Sequence, residues 1–66
     1  MNEYRVEYSY AMPSGIRNYE DDTTLAATAQ EAVDRVNGWY ADLPNFRIEY
    51  VWIDHNNRWK ITEAWS

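Results

Sequence analysis

The chain has 66 residues, with eleven Asp and Glu against six Lys and Arg for a formal net charge of −5, and no cysteine. A chain this short forms one domain over residues 1–66, burying about 60% of the surface its unfolded form exposes. Without cysteine, a disulfide framework and a thiolate metal site are excluded; four Trp, six Tyr and one Phe exclude the composition of disordered chains. No apolar run approaches the roughly 20 residues of a membrane span. The opening Met1-Asn2-Glu3-Tyr4 lacks the basic and apolar stretches of a signal peptide, so a cytoplasmic protein is expected.

Glu3 to Tyr10 alternates strictly, with Tyr4, Val6, Tyr8 and Tyr10 on one side and Glu3, Arg5, Glu7 and Ser9 on the other. This period of two predicts a half-buried strand. Met12-Pro13-Ser14-Gly15 is a turn. Ile16 to Ala27 then reads as a return strand, with a bulge or break expected at Glu20-Asp21-Asp22, because acidic residues disfavour regular pairing.

Thr28-x-x-Glu31 has the spacing of a capping box, in which each residue satisfies a backbone N–H of the other. Behind it, Ala29, Ala32, Val33, Val36, Tyr40 and Leu43 recur at helical spacing, with Trp39 on the rim of their stripe. Pro44-Asn45 ends this helix of about fourteen residues, roughly 21 Å long. Phe46 to Asp54 reads as a strand whose run Tyr50-Val51-Trp52-Ile53 is apolar on both faces, which places it inside the sheet. Asp54 to Asn57 is a turn. Arg58 to Trp65 returns as the last strand, with Trp59 and Ile61 on one side and Arg58, Lys60 and Thr62 on the other. Two hairpins flanking one helix predict an α+β fold: ββαββ, a four-stranded antiparallel sheet with the helix packed on one face. Val6, Ile61 and Ile48 are expected to share the helix-facing core with the aromatic rings.

The inventory for catalysis is thin, and no catalytic residue is assigned. His55 is the only histidine and lies in a hairpin turn, without the burial or oriented partner that tunes a general base. Two glycines cannot build a phosphate cradle, and no cofactor motif occurs. Three consecutive acids on a strand point alternately to opposite faces, so no metal site is assigned to them. Direct nucleic-acid binding is not expected, since it runs on Lys and Arg. Anionic membrane surfaces repel the chain for the same reason.

One helix shields one face of a sheet, and the rings outnumber what such a core can use. Trp39, Trp52 or its neighbours, and Trp65 are expected at the surface. There they either fold over the sheet rims, meet a partner as interface anchors, or join two copies as a homodimer face. Arg5, Glu7, Arg47, Glu49, Arg58 and Lys60 are expected to mix signs on the face away from the helix. Glu20, Asp21, Asp22, Glu31, Asp34 and Asp42 then form either one anionic surface on the helix side or an ordinary solvated helix face.

In general build, a cysteine-free acidic domain with Glu20-Asp21-Asp22 and the helix acids Glu31, Asp34 and Asp42 looks like the small phage-encoded inhibitors of the anti-CRISPR kind. The resemblance covers the whole chain and no diagnostic motif. It implies a stoichiometric inhibitor, not an enzyme, acting in the cytoplasm of a host cell. Some such inhibitors occupy DNA-binding surfaces by imitating the phosphate backbone, with carboxylates meeting Arg and Lys clusters. The partner implied is a basic protein surface in a nucleic-acid-binding complex, with Trp39 beside the acids as a further contact.

Overall fold

The computed structural model describes residues 1–64. The elements run β1 (Asn2–Ala11), β2 (Arg17–Ala26), α1 (Ala29–Tyr40), β3 (Arg47–His55) and β4 (Arg58–Ala64). The four strands form one antiparallel sheet in the order β2-β1-β3-β4. This is the expected ββαββ arrangement, and β3, apolar on both faces, is an interior strand. Trp65 lies outside the described residues. No helix is long and apolar enough to cross a membrane.

Both hairpins close through left-handed residues where the turn sequences allow them. Gly15 has φ +91°, and Met12 N–H donates to Ile16 O at 2.8 Å. Between β3 and β4, Asn56 and Asn57 take φ 52° and 63°, the pair of positive values that a two-residue hairpin turn matched to strand twist requires.

The acidic trio does not interrupt β2. β1 and β2 pair without a shift from Asn2↔Ala26 to Ala11↔Arg17. Register shifts occur instead at Glu49 of β3, skipped opposite Glu7 and Tyr8 of β1, and at Thr62 of β4, skipped opposite Val51 and Trp52. β2 stays regular because partners on β1 hold its acids. Tyr8 Oη donates to Asp22 at 3.1 Å, Tyr10 Oη donates to Glu20 at 2.9 Å, and Arg5 lies 3.4 Å from Asp21 on the other face.

α1 starts as expected: the Thr28 hydroxyl accepts from the Glu31 N–H at 3.1 Å. The reciprocal half of the capping box does not form, because the Glu31 carboxylate turns to Arg35 at 3.1 Å. The helix has 12 residues rather than about fourteen. Ala41 caps it through Asn37 O, and successive bonds Leu43 N→Tyr40 O and Phe46 N→Leu43 O turn the chain away. Proline at 44 disfavours helical geometry at Leu43, and Asn45 completes the reversal at φ 51°.

α1 lies over β2, β1 and β3. Its Ala32, Val33 and Val36 meet Tyr4, Val6, Tyr8, Ala26 and Val51 in the core, with Ile48, Ile53, Phe46 and Tyr40 packed around them. Val6, Val36 and Val51 are fully buried, each worth about 1.5–3 kcal/mol relative to exposure. Tyr8 stacks on Tyr40 at 4.9 Å between ring centroids and tilts against Phe46 at 5.4 Å. Ile61 is not in this core. It pairs with Trp52 on the opposite face and is 47% exposed.

Candidate functional site

Register decides where each expected site residue goes. Tyr8 pairs with Glu20 and Val6 with Asp22, so these two acids share the helix side of β2. Asp21 pairs with Glu7 and points to the opposite face, where Arg5 meets it. The acidic trio is therefore split by strand alternation, two to one.

On the helix, Arg35 ties α1 to β2. Its guanidinium donates to the Thr24 hydroxyl at 2.7 Å and to the Leu25 carbonyl, and binds Glu31 one turn earlier. Glu31 is consequently on the β2 flank, and Trp39, one turn beyond Arg35, is on that flank too. Trp39 is 50% exposed and meets Tyr40 edge-on at 6.1 Å. The structure thus brings Glu20, Asp22, Glu31 and Trp39 to the seam between α1 and β2.

Asp34 and Asp42 lie elsewhere. Asp34 accepts from Gln30 at 2.9 Å and borders a groove of about 540 Å³ between α1 and the start of β3, with Asn37, Arg47 and Glu49 across it. Asp42 is exposed just past the end of α1. The six acids surround the helix and the β2 edge instead of forming one continuous patch.

The seam has a feature that reading residues one at a time missed: its acids are hydrogen-bonded to tyrosines. Tyr8 and Tyr10 each reach diagonally past their directly paired residue to the next acid along β2, and Asn18 donates to the Tyr10 oxygen at 2.8 Å. Diagonal neighbours of this kind are within reach of long side chains. Burial pushes the Tyr8 hydroxyl above its ordinary range, and its hydrogen bonds with Tyr40 and Asp22 push the same way. Tyr40 is raised chiefly by Asp22 as acceptor. Tyr8 on Asp22 and Tyr10 on Glu20 hold these two carboxylates in place at the surface.

The basic residues are distributed differently from expectation. Lys60 pairs with Ile53 and Arg58 with His55, so both β4 cations are on the helix side, at the far edge from the seam. With His55 and Asn56 they line a hollow of about 490 Å³. His55 is an exposed residue of the β3–β4 hairpin. Charge on the helix side therefore runs from acidic at β2 to basic at β4.

The open face carries Arg5, Glu7, Arg47 and Glu49, as expected, together with Tyr50, Trp52, Trp59 and Ile61. Trp52 Nε1 donates to Glu7 at 2.6 Å, and the Arg5 guanidinium lies 5.7 Å from the Trp52 ring and 6.0 Å from the Trp59 ring. Arg5 Nε sits 3.4 Å from Asp21 Oδ2, within ion-pair distance, yet without hydrogen-bond geometry. At the other end, fully buried Ser9 donates to Glu49 at 2.5 Å and accepts from Arg17 at 2.8 Å. Arg47 donates to the same carboxylate at 2.6 Å. Among the described residues, no group of three His, Asp or Glu is arranged to hold a metal ion. No protein-family model matches the chain, and comparison with curated proteins and with solved structures likewise finds no match.

Proposed function

We propose that the chain is a non-enzymatic inhibitor that occupies a basic, nucleic-acid-binding surface of a partner protein with its α1–β2 seam. Small phage-encoded inhibitors of the anti-CRISPR type belong to this class. The observation that supports the reading is the seam itself: Glu20, Asp22 and Glu31 share one flank with half-exposed Trp39, and Arg35 is interleaved among them. Glu20 and Asp22, two positions apart on one strand face, are spaced about 7 Å. Their carboxylates are held by Tyr10 and Tyr8 and keep further lone pairs for Arg and Lys donors. Asp34 and Asp42 extend the negative field around the helix and speed encounter with a positive surface. Trp39 supplies the apolar anchor that pairing of charges alone lacks.

The test is binding to purified CRISPR effector complexes with exposed nucleic-acid channels, with duplex DNA as competitor. Binding should weaken roughly tenfold or more between about 50 and 200 mM salt. The triple variant Glu20→Lys, Asp22→Lys, Glu31→Lys should abolish it, and DNA should displace the wild-type chain. Binding that ignores salt, competitor and charge reversal rejects the seam as the contact surface.

A further inference from the structure

β2 and β4 are the outer strands of the sheet, and each leaves one row of backbone N–H and C=O groups without a strand partner. On β2 that row belongs to the odd-numbered residues. Met12 N–H bonds Ile16 O and Ala11 lies opposite Arg17, so alternation turns Asn18, Glu20 and Asp22 toward β1 and Tyr19, Asp21 and Thr23 outward. The Leu25 carbonyl, which accepts from Arg35, belongs to the same outward set. On β4 the two-residue turn makes His55 and Arg58 a bonded pair, which turns Trp59 and Ile61 outward. The side chains of Glu20 and Asp22 share the helix side of β2, and those of Arg58 and Lys60 share the helix side of β4.

We propose that β4 of one copy of this chain pairs with β2 of the next, head to tail, with Arg58 against Asp22 and Lys60 against Glu20. Direction, side, spacing and hydrogen bonding meet in this one register. Three antiparallel pairings leave β4 running opposite to β2. A second copy set beside the first in the same orientation therefore continues the antiparallel sheet and keeps its helix on the same side. Both charge pairs are two positions apart, about 7 Å along the strand. Counted antiparallel from Arg58 and Asp22, Trp59 falls opposite Asp21, and Ile61 opposite Tyr19. These four are the outward residues, so they form the hydrogen-bonded pairs. The charged residues then take the non-bonded positions, where side chains approach more closely.

Charge selects a second copy because the two edges complement each other and neither complements itself. Two β2 edges centred on Asp21 would set Glu20 of one copy opposite Asp22 of the other. Two β4 edges centred on Trp59 would set Arg58 opposite Lys60. Like charges directly opposite are destabilising. The contact is heterologous, so a free β2 remains at one end and a free β4 at the other. Both edges are open: Tyr19, Glu20 and Asp21 are exposed, and so are Arg58 to Ile61. Arg35 occupies the β2 edge at Leu25, beyond the paired stretch. Ile61 beside Tyr19 also covers two side chains that are 47% and 63% exposed in the single chain. The pairing goes beyond the inhibitor reading and does not rest on it, since it takes up Glu20 and Asp22 from within the same chain's own repertoire.

Sedimentation equilibrium of the full chain from about 10 μM to 1 mM tests the proposal. Salt of about 0.15 M, with a screening length of about 8 Å, damps the general repulsion between acidic chains. The average mass should climb past twice the monomer mass, because each added copy leaves one edge of each kind free. One variant carries Glu20→Lys with Asp22→Lys, a second carries Arg58→Glu with Lys60→Glu, and each alone should associate roughly tenfold more weakly or worse. Mixing the two should restore association, since the basic edges of one then meet the acidic edges of the other. If circular dichroism shows either to be unfolded, Tyr19→Pro takes its place. That change deletes an outward N–H, keeps the ladder to β1, and should weaken association as much. A monomer throughout the range overturns the proposal, as does a species that stops at the dimer. So does association that survives either double reversal or Tyr19→Pro, or a mixture of the two variants that stays monomeric.

Discussion

Trp52 donates its indole Nε1–H to Glu7 at 2.6 Å, although neither is the other's direct partner. Trp52 pairs with Arg5 and Glu7 with Tyr50, so the bond runs diagonally across the two interior strands. The same Glu7 oxygen also accepts from Arg5. One carboxylate thereby orients a ring and a guanidinium on a face that no helix covers.

Removing this donor should be felt. Trp52→Phe keeps an aromatic ring on the face and loses the hydrogen bond to Glu7, at an expected cost of about 1–2 kcal/mol. Glu7→Gln retains an acceptor and should cost less. Urea unfolding of the three proteins, compared at equal slope, measures the difference.

High pH should loosen the tyrosine seam. Burial, then Tyr40 and Asp22, raise the Tyr8 hydroxyl above its ordinary value of 10.0, so the folded state favours the neutral phenol. The stabilisation is complete below the unfolded value, near pH 10, and is lost as pH rises beyond it. Melting temperature measured from about pH 8 to 12 should fall for the wild type. Tyr8→Phe should be about 1 kcal/mol less stable at neutral pH and lose less on the alkaline side. An identical alkaline slope in both proteins removes Tyr8 as the cause.

Low pH should act at the opposite end of the open face. The Ser9 hydroxyl, and after it Arg47, hold the Glu49 carboxyl below its usual range. The folded value is thus below the unfolded one. The contribution is present above the unfolded carboxylate range and disappears as pH falls through the folded value. Glu49→Gln should be less stable at neutral pH and converge with the wild type in acid. Thermal melts across about pH 2 to 7 follow that convergence.

The start of α1 offers a separate check on its cap. Thr28→Ala removes the acceptor for the Glu31 N–H and should destabilise the chain by about 1 kcal/mol. Glu31→Gln should cost only a few tenths of a kcal/mol, because Glu31 forms a partly exposed pair with Arg35 instead of closing the capping box. Equal losses for the two variants indicate a reciprocal cap in solution.

Much of the seam was within reach of the sequence once the first hairpin was placed. The turn over Met12 to Gly15 sets Ala11 against Arg17, and from there alternation alone puts Tyr8 and Tyr10 on the side of Glu20 and Asp22. β2 runs unbroken through its acids because Tyr8, Tyr10 and Arg5 face them, which strand propensity by itself does not include. The bulges at Glu49 of β3 and Thr62 of β4 were not legible, since they depend on which strands adjoin. The second shifts β4 against β3, and the pairing beyond it places Lys60 and Arg58 on the helix side and Ile61 on the open face.

The alternating first strand, the Thr28 cap and the apolar run of β3 determined the ββαββ order by local chemistry: side-chain period, turn residues and burial on two faces. The split of Asp21 from Glu20 and Asp22 follows only from the unbroken pairing of β2 with β1. Only the tertiary structure decided that the acids divide between a tyrosine-held seam, a groove flank and an open face. Only there does the ring surplus become an apolar patch on Trp52, Trp59 and Ile61. Strand order and register bring together residues up to 45 positions apart, and no local period carries that information.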